Sequence, residues 1–254
     1  MNVNELLGEA IDKLKTIYFE EKKKTMLVNS IEVFDNYTVV LGNNNEIGVC
    51  YNYNNEKGIT AFAEIIKEYI GKPMIKLAED LYKNINKFYK SFGIAAINAL
   101  CDPIVNISRY YNKRFTLGDK VGHYVNYDDR VTVLDVNTYS KRFRDRCKVL
   151  RVVALNNEDI KYYIEKTDVV IIPGKTIVDN SLIDILKAGE NARVRGIYDI
   201  SAQMLPEVFF DIGINHINII KIKNSLEFIK ELKEGMEFEK ALILNSLCYY
   251  LYNE

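Results

Sequence analysis

The N-terminal half of the chain alternates helical and extended hydrophobic patterns. Apolar residues recur every three or four positions over 4–20, which predicts an amphipathic helix. Three extended stretches separated by turn formers follow, at 25–34, 37–41 and 47–53. Strands so closely spaced predict an antiparallel meander. Helical periodicity returns over 60–70 and again after Pro73, and the apolar segment 92–100 predicts a buried helix.

Beyond about residue 115 the pattern changes to short β-branched runs that alternate with amphipathic helical stretches. The nearly continuous apolar runs are 131–134, 149–153, 169–172, 194–198 and 217–222. Strands that are apolar on both faces, with helices between them, are typical of parallel β-α units. The segment 237–252 is apolar on more than one side, so we expect a last helix buried against the sheet, the first domain or a partner subunit.

The two patterns together predict an α/β protein of two domains. Residues 1–114 form an α+β domain with the antiparallel meander, and residues 115–254 form a Rossmann-like parallel sheet of about five strands with helices on both faces. A chain of 254 residues is long enough to bury a substantial core in this arrangement.

Composition narrows the classes of function. Lys and Arg number 34 against 35 Asp and Glu, and the net charge of −1 argues against nucleic-acid binding through bulk positive charge. The chain has no uninterrupted apolar run of about 18 residues, which a membrane helix would need, and its N-terminal segment is interspersed with charges. We therefore expect a cytoplasmic protein that binds neither nucleic acid nor a membrane.

Cysteine and histidine positions show no metal-ligand spacing. The cysteines form no C-x-x-C pair, which favours buried thiols over a zinc site or a disulfide scaffold. They are Cys50, Cys101, Cys147 and Cys248. Neither His123 nor His216 has a second ligand residue at helical or loop spacing, so we expect both to be surface or packing residues.

Polar residues gather where the predicted parallel strands end. Ligands of open parallel sheets bind outside the carboxyl ends of the strands, where successive crossovers leave for opposite faces. The candidate ligand-binding residues at this rim are Asp135, Asn137, Gly174, Lys175, Thr176, Asp179, Asn180, Asp199 and Ser201. Asp179 and Asn180 also begin a predicted helix, whose unpaired N–H groups favour an anion. Capping or turning the chain explains each residue alone, whereas their convergence on one rim predicts a pocket.

A nicotinamide or flavin cofactor is disfavoured. Dinucleotide binding needs a glycine-rich first turn and an acidic residue at the end of the second strand. Here the first turn is Leu134-Asp135-Val136-Asn137-Thr138, and the second strand ends in Val153-Ala154-Leu155-Asn156. The Gly174-Lys175-Thr176 segment is shared with phosphate loops, yet Val169 stands where such a loop requires its first glycine.

Five further segments are informative together, because their order and spacing resemble those of a known family. They are Gly93–Leu100, Gly118-Asp119, Asp168–Gly174, Lys175–Leu182 and Ser201–Glu207. In this order they resemble a two-part family of unknown function that is catalogued under heavy-metal chelation. The resemblance, with the meander, covers most of the chain. It implies a domain like the N-terminal domain of enolase followed by a Rossmann-like domain, and the handling of a metal ion or a metal-containing cofactor or precursor.

Two departures from this family fall on the predicted rim. Asp135-Val136-Asn137 replaces a small Gly-His/Tyr-Phe turn, and Asp199-Ile200-Ser201 replaces Gly-Pro-Ser, so the ligand can differ from that of relatives. Together with Asp179, the carboxylates at these turns offer the oxygen ligands of a hard cation. A soft metal prefers the sulfur and imidazole that this rim lacks.

Three functions stay open at this point. The leading hypothesis is a small-ligand-binding protein whose pocket lies between the N-terminal domain and the strand ends. The second is an enzyme acting on a small anionic substrate, with Asp135 or Asp199 as general base and Lys175 steadying the anion. The third is an oligomeric scaffold or assembly subunit, which the apolar last segment suggests.

Overall fold

The computed structural model describes residues 1–53, 63–64, 67–105, 122, 124–135, 140–141 and 143–253. In chain order the strands are β1 Val28–Phe34, β2 Tyr37–Gly42, β3 Ile47–Tyr51, β4 Arg130–Leu134, β5 Val149–Val153, β6 Val169–Pro173, β7 Val194–Tyr198, β8 His216–Ile222 and β9 Ser246–Tyr252. The described helices are α1 Val3–Glu20, α2 Met74–Leu81, α3 Lys87–Cys101, α4 Ile160–Glu165, α5 Lys175–Val178, α6 Leu182–Ala188, α7 Pro206–Asp211, α8 Ser225–Lys233 and α9 Phe238–Asn245. None of these helices has the length and hydrophobicity needed to cross a membrane.

The chain divides into two compact units. The N-terminal unit comprises Met1–Val105, Gln203–Leu205 and Ile220–Leu247. The sheet unit comprises Asn106–Ala202, Pro206–Ile219 and Cys248–Glu254. The N-terminal unit thus takes in α8 and α9, which follow the sheet in sequence. A single boundary after residue 114 stays a prediction, because residues 106–121 lie outside the described residues.

The predicted helix and meander of the N-terminal unit are both present. A capping box begins α1: the Asn2 side chain accepts from the Glu5 N–H at 3.0 Å, and the Glu5 carboxylate accepts from the Asn2 N–H at 2.7 Å. β1, β2 and β3 pair antiparallel in sequence order. Of the predicted helix over 60–70, residues 63–64 and 67–69 are helical, and 60–62 and 65–66 lie outside the described residues.

Two glycines allow the buried helix α3 to approach its neighbours closely. A Cβ on Gly93 would lie 2.5 Å from the backbone nitrogen of Tyr82, just after α2. A Cβ on Gly48 in β3 would lie 1.9 Å from the carbonyl oxygen of Ala95. Neither position has room for a side chain, so the small residues of this segment set the distance between helix and sheet.

A six-stranded sheet follows in the order β5-β4-β6-β7-β8-β9. Neighbouring strands from β5 to β8 pair in parallel, which confirms the α/β class with a Rossmann-like sheet. One face buries a continuous apolar cluster of Val131, Val133, Phe143, Val169, Ile171, Val194, Tyr198 and Tyr250. The buried faces explain why these strands are β-branched along most of their length.

The sixth strand corrects the prediction of a last helix over 237–252. The helix α9 ends at Asn245, and residues 246–252 form β9 at the sheet edge. The Asn253 N–H donates to the carbonyl of Asn215, and the Lys223 N–H donates to the carbonyl of Asn245. The end of β9 therefore lies beside the start of β8, and the two strands run antiparallel.

Candidate functional site

The strand order places a crevice between β4 and β6. The chain goes from β4 to β5 on one side of the sheet, and then returns to place β6 on the other side of β4. Adjacent parallel strands whose following crossovers diverge leave a crevice at their carboxyl ends, where ligands of open α/β sheets bind. Asp135 follows β4 and Gly174 follows β6, so both lie at this crevice.

An ion pair joins the two sides of the crevice. The Lys175 ammonium contacts a carboxylate oxygen of Asp135. Their side chains are 19% and 30% exposed, so the pair is partly withdrawn from water but open to a ligand. Asp135 adopts a left-handed backbone conformation (φ 69°), and its N–H donates to the carbonyl of Val153 at 2.7 Å. The conformation is uncommon for a residue other than glycine, and it turns the chain out of the sheet at this position.

Asp199 supplies a second carboxylate after β7. It is half-buried and also has a positive φ, of 95°. Burial raises the pKa of its carboxyl to about 6, against the opposing effects of hydrogen bonds from Ser201 and of the Lys175 charge. The Ser201 N–H donates to Asp199 Oδ1 at 3.1 Å, and the Ser201 hydroxyl lies 3.4 Å from the same oxygen. Asp135, Lys175 and Asp199 are hereafter the switch-point cluster.

Backbone and side-chain hydrogen bonds hold the ends of β4, β6 and β7 together. The Gly174 N–H donates to the carbonyl of Tyr198 at 2.7 Å. The Tyr198 hydroxyl donates to the carbonyl of Leu134 at 3.0 Å. Sequence analysis missed this role of Tyr198, although a tyrosine that ends a buried strand is a residue whose hydroxyl needs a partner. These hydrogen bonds fix the relative positions of the strand ends that carry the cluster.

Small residues let the turns of the cluster approach one another. A Cβ on Gly174 would lie 3.0 Å from the backbone nitrogen of Ala202 and 3.2 Å from Cβ of Ser201. Thr176 is fully buried, and its hydroxyl donates to the carbonyl of Pro173 at 2.7 Å. Gly174, Thr176 and Ser201 thus lie at the same edge as the switch-point cluster, with the two hydroxyls engaged in local hydrogen bonds.

The remaining candidate residues lie elsewhere along the rim. Asp179 and Asn180 lie between α5 and α6, and the N-cap of α6 is Ser181 rather than either of them. Asp179 Oδ1 accepts from the Ser181 N–H at 3.0 Å and from its hydroxyl at 2.5 Å, which is an Asx-type turn. Asn180 has a φ of 67°. Asn137 lies outside the described residues.

His216 has a packing partner that the sequence did not reveal. It begins β8, is buried, and its Nδ1 forms a hydrogen bond with the Tyr250 hydroxyl on β9. Burial, and then the charge of Arg193, lowers the pKa of His216 to about 4, so the ring is neutral at physiological pH. The expected packing role accounts for these contacts. His123 lies outside the described residues.

The described residues do not fit a heavy-metal site. They contain no group of three or more His, Cys, Asp or Glu side chains arranged to hold a metal ion. The two carboxylates of the switch-point cluster offer only oxygen, and the Lys175 ammonium lies against one of them. Soft metals prefer thiolate and imidazole ligands. Cys50 and Cys101 are buried in the other unit, and the half-buried Cys147 and Cys248 of the sheet unit belong to no such group of three among the described residues. Oxygen donors beside an ammonium suit a polar organic group better than a bare soft cation.

The fold and crevice define the class of protein: an α/β protein with an open, mostly parallel sheet and polar residues at its switch point. Two family models match the chain, DUF4213 over residues 18–101 and DUF364 over residues 121–242, and both carry the description "Putative heavy-metal chelation". The chain belongs to this family, as the resemblance of its segments implied.

Similar proteins support the same fold. A crystal structure of a DUF364-family protein of unknown function from Pyrococcus horikoshii has a TM-score of 0.76 and 17% identity, covering 98% of this chain and 100% of that one. A DUF364-family structure from Desulfitobacterium hafniense has a TM-score of 0.72 and 17% identity, covering 95% and 99%. An uncharacterised protein of Methanocaldococcus jannaschii is 26% identical over 216 residues, covering 74% of this chain and 80% of that protein.

Proposed function

We propose that the chain is a small-ligand-binding protein whose ligand binds at the switch-point cluster. The carrying observation is the Lys175–Asp135 ion pair across the crevice between β4 and β6, with Asp199 held nearby on a rigid frame. A partly buried lysine that serves two carboxylates can exchange one of them for an anionic group of a ligand. The carboxylate released by that exchange can accept a hydrogen bond from a donor on the same ligand.

The family is described by heavy-metal chelation, and the proposed ligand accounts for that description. We infer that any metal arrives within a metal-containing small molecule that carries its own donor atoms. The support is the chemistry of the cluster, whose oxygen and ammonium groups recognise polar substituents of an organic ligand rather than a soft ion. The location of the pocket between two domains, and a cytoplasmic setting, stay predictions.

Native mass spectrometry of protein purified without denaturation tests the proposal. We expect a bound mass on the wild-type protein that is lost in Lys175→Met, because this change removes the cation shared by the cluster. Lys187→Met is the matched control, since Lys187 on α6 is exposed and pairs only weakly with Asp184 at 3.9 Å. The control should retain the bound mass.

A parallel thermal-shift series separates metal ions from other ligands. Mg²⁺, Zn²⁺, Ni²⁺ and ATP are added one at a time to the wild type and to Asp135→Asn. A protein that carries no bound mass and responds to none of these probes contradicts small-ligand binding at the cluster. An equal bound mass in Lys175→Met does so as well.

An enzyme is the second candidate, favoured by the state of Asp199. A carboxyl whose pKa is raised to about 6 changes protonation close to physiological pH, as a general acid or base should. The rate of such a reaction should rise with pH through about 6 if Asp199 acts as base. It should fall about 100-fold or more in Asp199→Asn. An activity that survives this substitution excludes Asp199 as the base.

Association between copies of the chain also stays a proposal. Ile243 and Leu244 on α9 are 77% and 62% exposed, although both are large apolar residues. The next residues form β9, one of the two edge strands of the sheet, which contains no charged residue or proline to discourage pairing. Multi-angle light scattering tests this point, and a monomer at high concentration contradicts it.

A further inference from the structure

A cavity lies in the N-terminal unit, and the proposed ligand site does not use it. Its volume is about 260 Å³. It is lined by the last turns of α1, the segment before β1, and residues of α2 and α3: Leu14, Lys15, Tyr18, Phe19, Lys23, Thr25, Met26, Ile75 and Leu100. It is hereafter the α1 pocket. Every one of its lining residues belongs to Met1–Val105, whereas the switch-point cluster belongs to the sheet unit.

The interior of the α1 pocket is apolar. Leu14, Met26 and Leu100 are almost fully buried, and they form the apolar wall. The Tyr18 hydroxyl, which could have made the interior polar, donates to the carbonyl of Leu100 at 3.1 Å. Phe19, at the side of the pocket, is 85% exposed. An apolar group in the pocket would be withdrawn from water and would cover part of this ring.

Two lysines contribute the cationic groups of the pocket. Lys15 contacts the carboxylate of Glu79, and Lys23 lies 2.8 Å from a carboxylate oxygen of Glu21. All four side chains are partly exposed to solvent. Ion pairs of this kind contribute little, because both partners are well hydrated when apart. A ligand carboxylate can therefore replace either glutamate at a small energetic penalty.

The turn that ends α1 places Lys23 at the pocket. Lys22 has a φ of 48°, at the position after a helix end that glycine usually occupies. The Lys23 N–H donates to the carbonyl of Tyr18 at 3.1 Å, and the Lys22 N–H donates to the carbonyl of Phe19 at 3.2 Å. These two bonds are those of a Schellman motif. The Lys22-Lys23-Lys24 run thereby contributes one of the two cations at the pocket, through Lys23.

We propose that the α1 pocket binds a small amphipathic carboxylate. The apolar part of the ligand lies against Leu14, Met26 and Leu100, and its carboxylate lies between the ammonium groups of Lys15 and Lys23. A volume of 260 Å³ is just below the usual 300–1,000 Å³ range of ligand pockets, so the ligand is a short aliphatic or single-ring acid. The ammonium pair distinguishes such an acid from an alcohol or amine of the same size.

Hexanoate is the probe for this proposal, with 1-hexanol and hexylamine as neutral and cationic counterparts. Methyl resonances of Met26 and Ile75 are followed by NMR in the full-length protein while each compound is titrated. We expect hexanoate to shift both resonances and to bind about tenfold more tightly than 1-hexanol. Hexylamine, which the lysines repel, should bind more weakly than either.

Substitutions then separate the charge of the pocket from its shape. Lys15→Met with Lys23→Met should weaken hexanoate about tenfold and leave 1-hexanol unchanged, since only the carboxylate uses the lysines. Lys13→Met is the matched control on α1, because Lys13 pairs with Glu9 and does not line the pocket. Lys175→Met in the sheet unit should also leave hexanoate binding intact.

Two results would overturn the proposal. One is the absence of any shift of the Met26 and Ile75 resonances at millimolar hexanoate. The other is hexanoate binding that the double lysine variant does not weaken, which would place the carboxylate elsewhere. The lysines are partly exposed, so these variants are expected to fold, and unchanged chemical shifts of Leu6 and Leu7 in the buried face of α1 would verify it.

Discussion

The two edges of the parallel sheet use their charges differently. At the amino edge two acidic residues are paired with arginines: Arg130 contacts both carboxylate oxygens of Asp168 at 3.1 and 3.3 Å, and Arg193 donates to Asp129 at 2.6 Å. The hydrogen bond from Arg130, with a smaller effect from the charge of Arg193, holds the pKa of Asp168 below its ordinary value. At the carboxyl edge the Lys175 charge acts on both Asp135 and Asp199, and the pKa of Asp199 is raised.

This contrast separates charges that stabilise the fold from charges that are available to a ligand. A carboxylate matched by a bidentate arginine gains stability from being ionised, as at Asp168. A carboxyl whose pKa is raised is less stable ionised in the folded protein than in water. At the carboxyl edge the ionised Asp199 therefore lowers the stability of the folded protein, as charged groups in binding and catalytic sites commonly do. At the amino edge the ionised Asp168 raises it.

The largest expected effect is at the amino edge. Arg193→Met removes the ion-pair partner of Asp129, whose side chain is only 11% exposed and keeps its hydrogen bond from the Asn126 N–H, and should lower the free energy of unfolding by about 2 kcal/mol. Lys175→Met at the carboxyl edge should lower it by about 1 kcal/mol or less, because Asp135 is better hydrated. Urea denaturation at pH 7.5 measures both. An equal or reversed ranking breaks the comparison.

Asp199→Asn sharpens the comparison, because it should stabilise the protein. The folded protein keeps the Asp199 proton up to about pH 6, whereas the unfolded chain releases it near 3.8, so this carboxyl lowers stability as pH rises through that window. An amide has no proton to lose, and it can still accept the Ser201 N–H bond. We expect a gain of about 1 kcal/mol at pH 7.5 that shrinks toward pH 4. Urea denaturation at the two pH values decides, and a loss at pH 7.5 contradicts the raised pKa.

The smallest effect is expected from Asp168→Asn at the amino edge. The pKa of Asp168 is lowered in the folded protein, so its contribution is present above the ordinary pKa of 3.8 and is lost as pH falls through the lowered value. The substitution should slightly destabilise the protein at neutral pH, and 1 M NaCl should remove most of the difference because the pair is exposed. A stabilising effect, like that expected at Asp199, would erase the distinction between the edges.

Much of the fold could be predicted because hydrophobic periodicity reports burial directly. The meander, the parallel strands and the helices that begin at Pro206 and Ser225 all follow from local patterns. β9 could not be recognised, because residues 246–252 follow a helix with no glycine or proline between them. Three tyrosines in this short segment were the available signal for a strand. Their extended conformation depends on pairing with β8, which is a tertiary contact.

The candidate site was predictable as a set of strand ends but not as a set of pairs. Topology rules indicate that Asp135, Gly174 and Asp199 follow parallel strands, and the structure places them along one edge. The contact between Lys175 and Asp135 depends on β6 lying next to β4. Local sequence patterns do not show which strands are neighbours in the sheet. The sequence predicted that the helix α6 begins at Asp179 and Asn180, but its N-cap is Ser181. The Ser181 N–H and hydroxyl both donate to Asp179, a local turn that the order of residues does not reveal.

The return of residues 220–247 to the N-terminal unit affects how the protein can be dissected or recombined. Phe238 stacks on Tyr37 with ring centroids 3.7 Å apart, and Lys233 lies 2.6 Å from a carboxylate oxygen of Glu32. A gene fragment that ended at residue 105 would encode Tyr37 and Glu32 without these partners. Exchange of one unit between homologous genes would require five crossover points, at the boundaries of the three segments of the N-terminal unit, rather than one, so we expect the two units to have been inherited together.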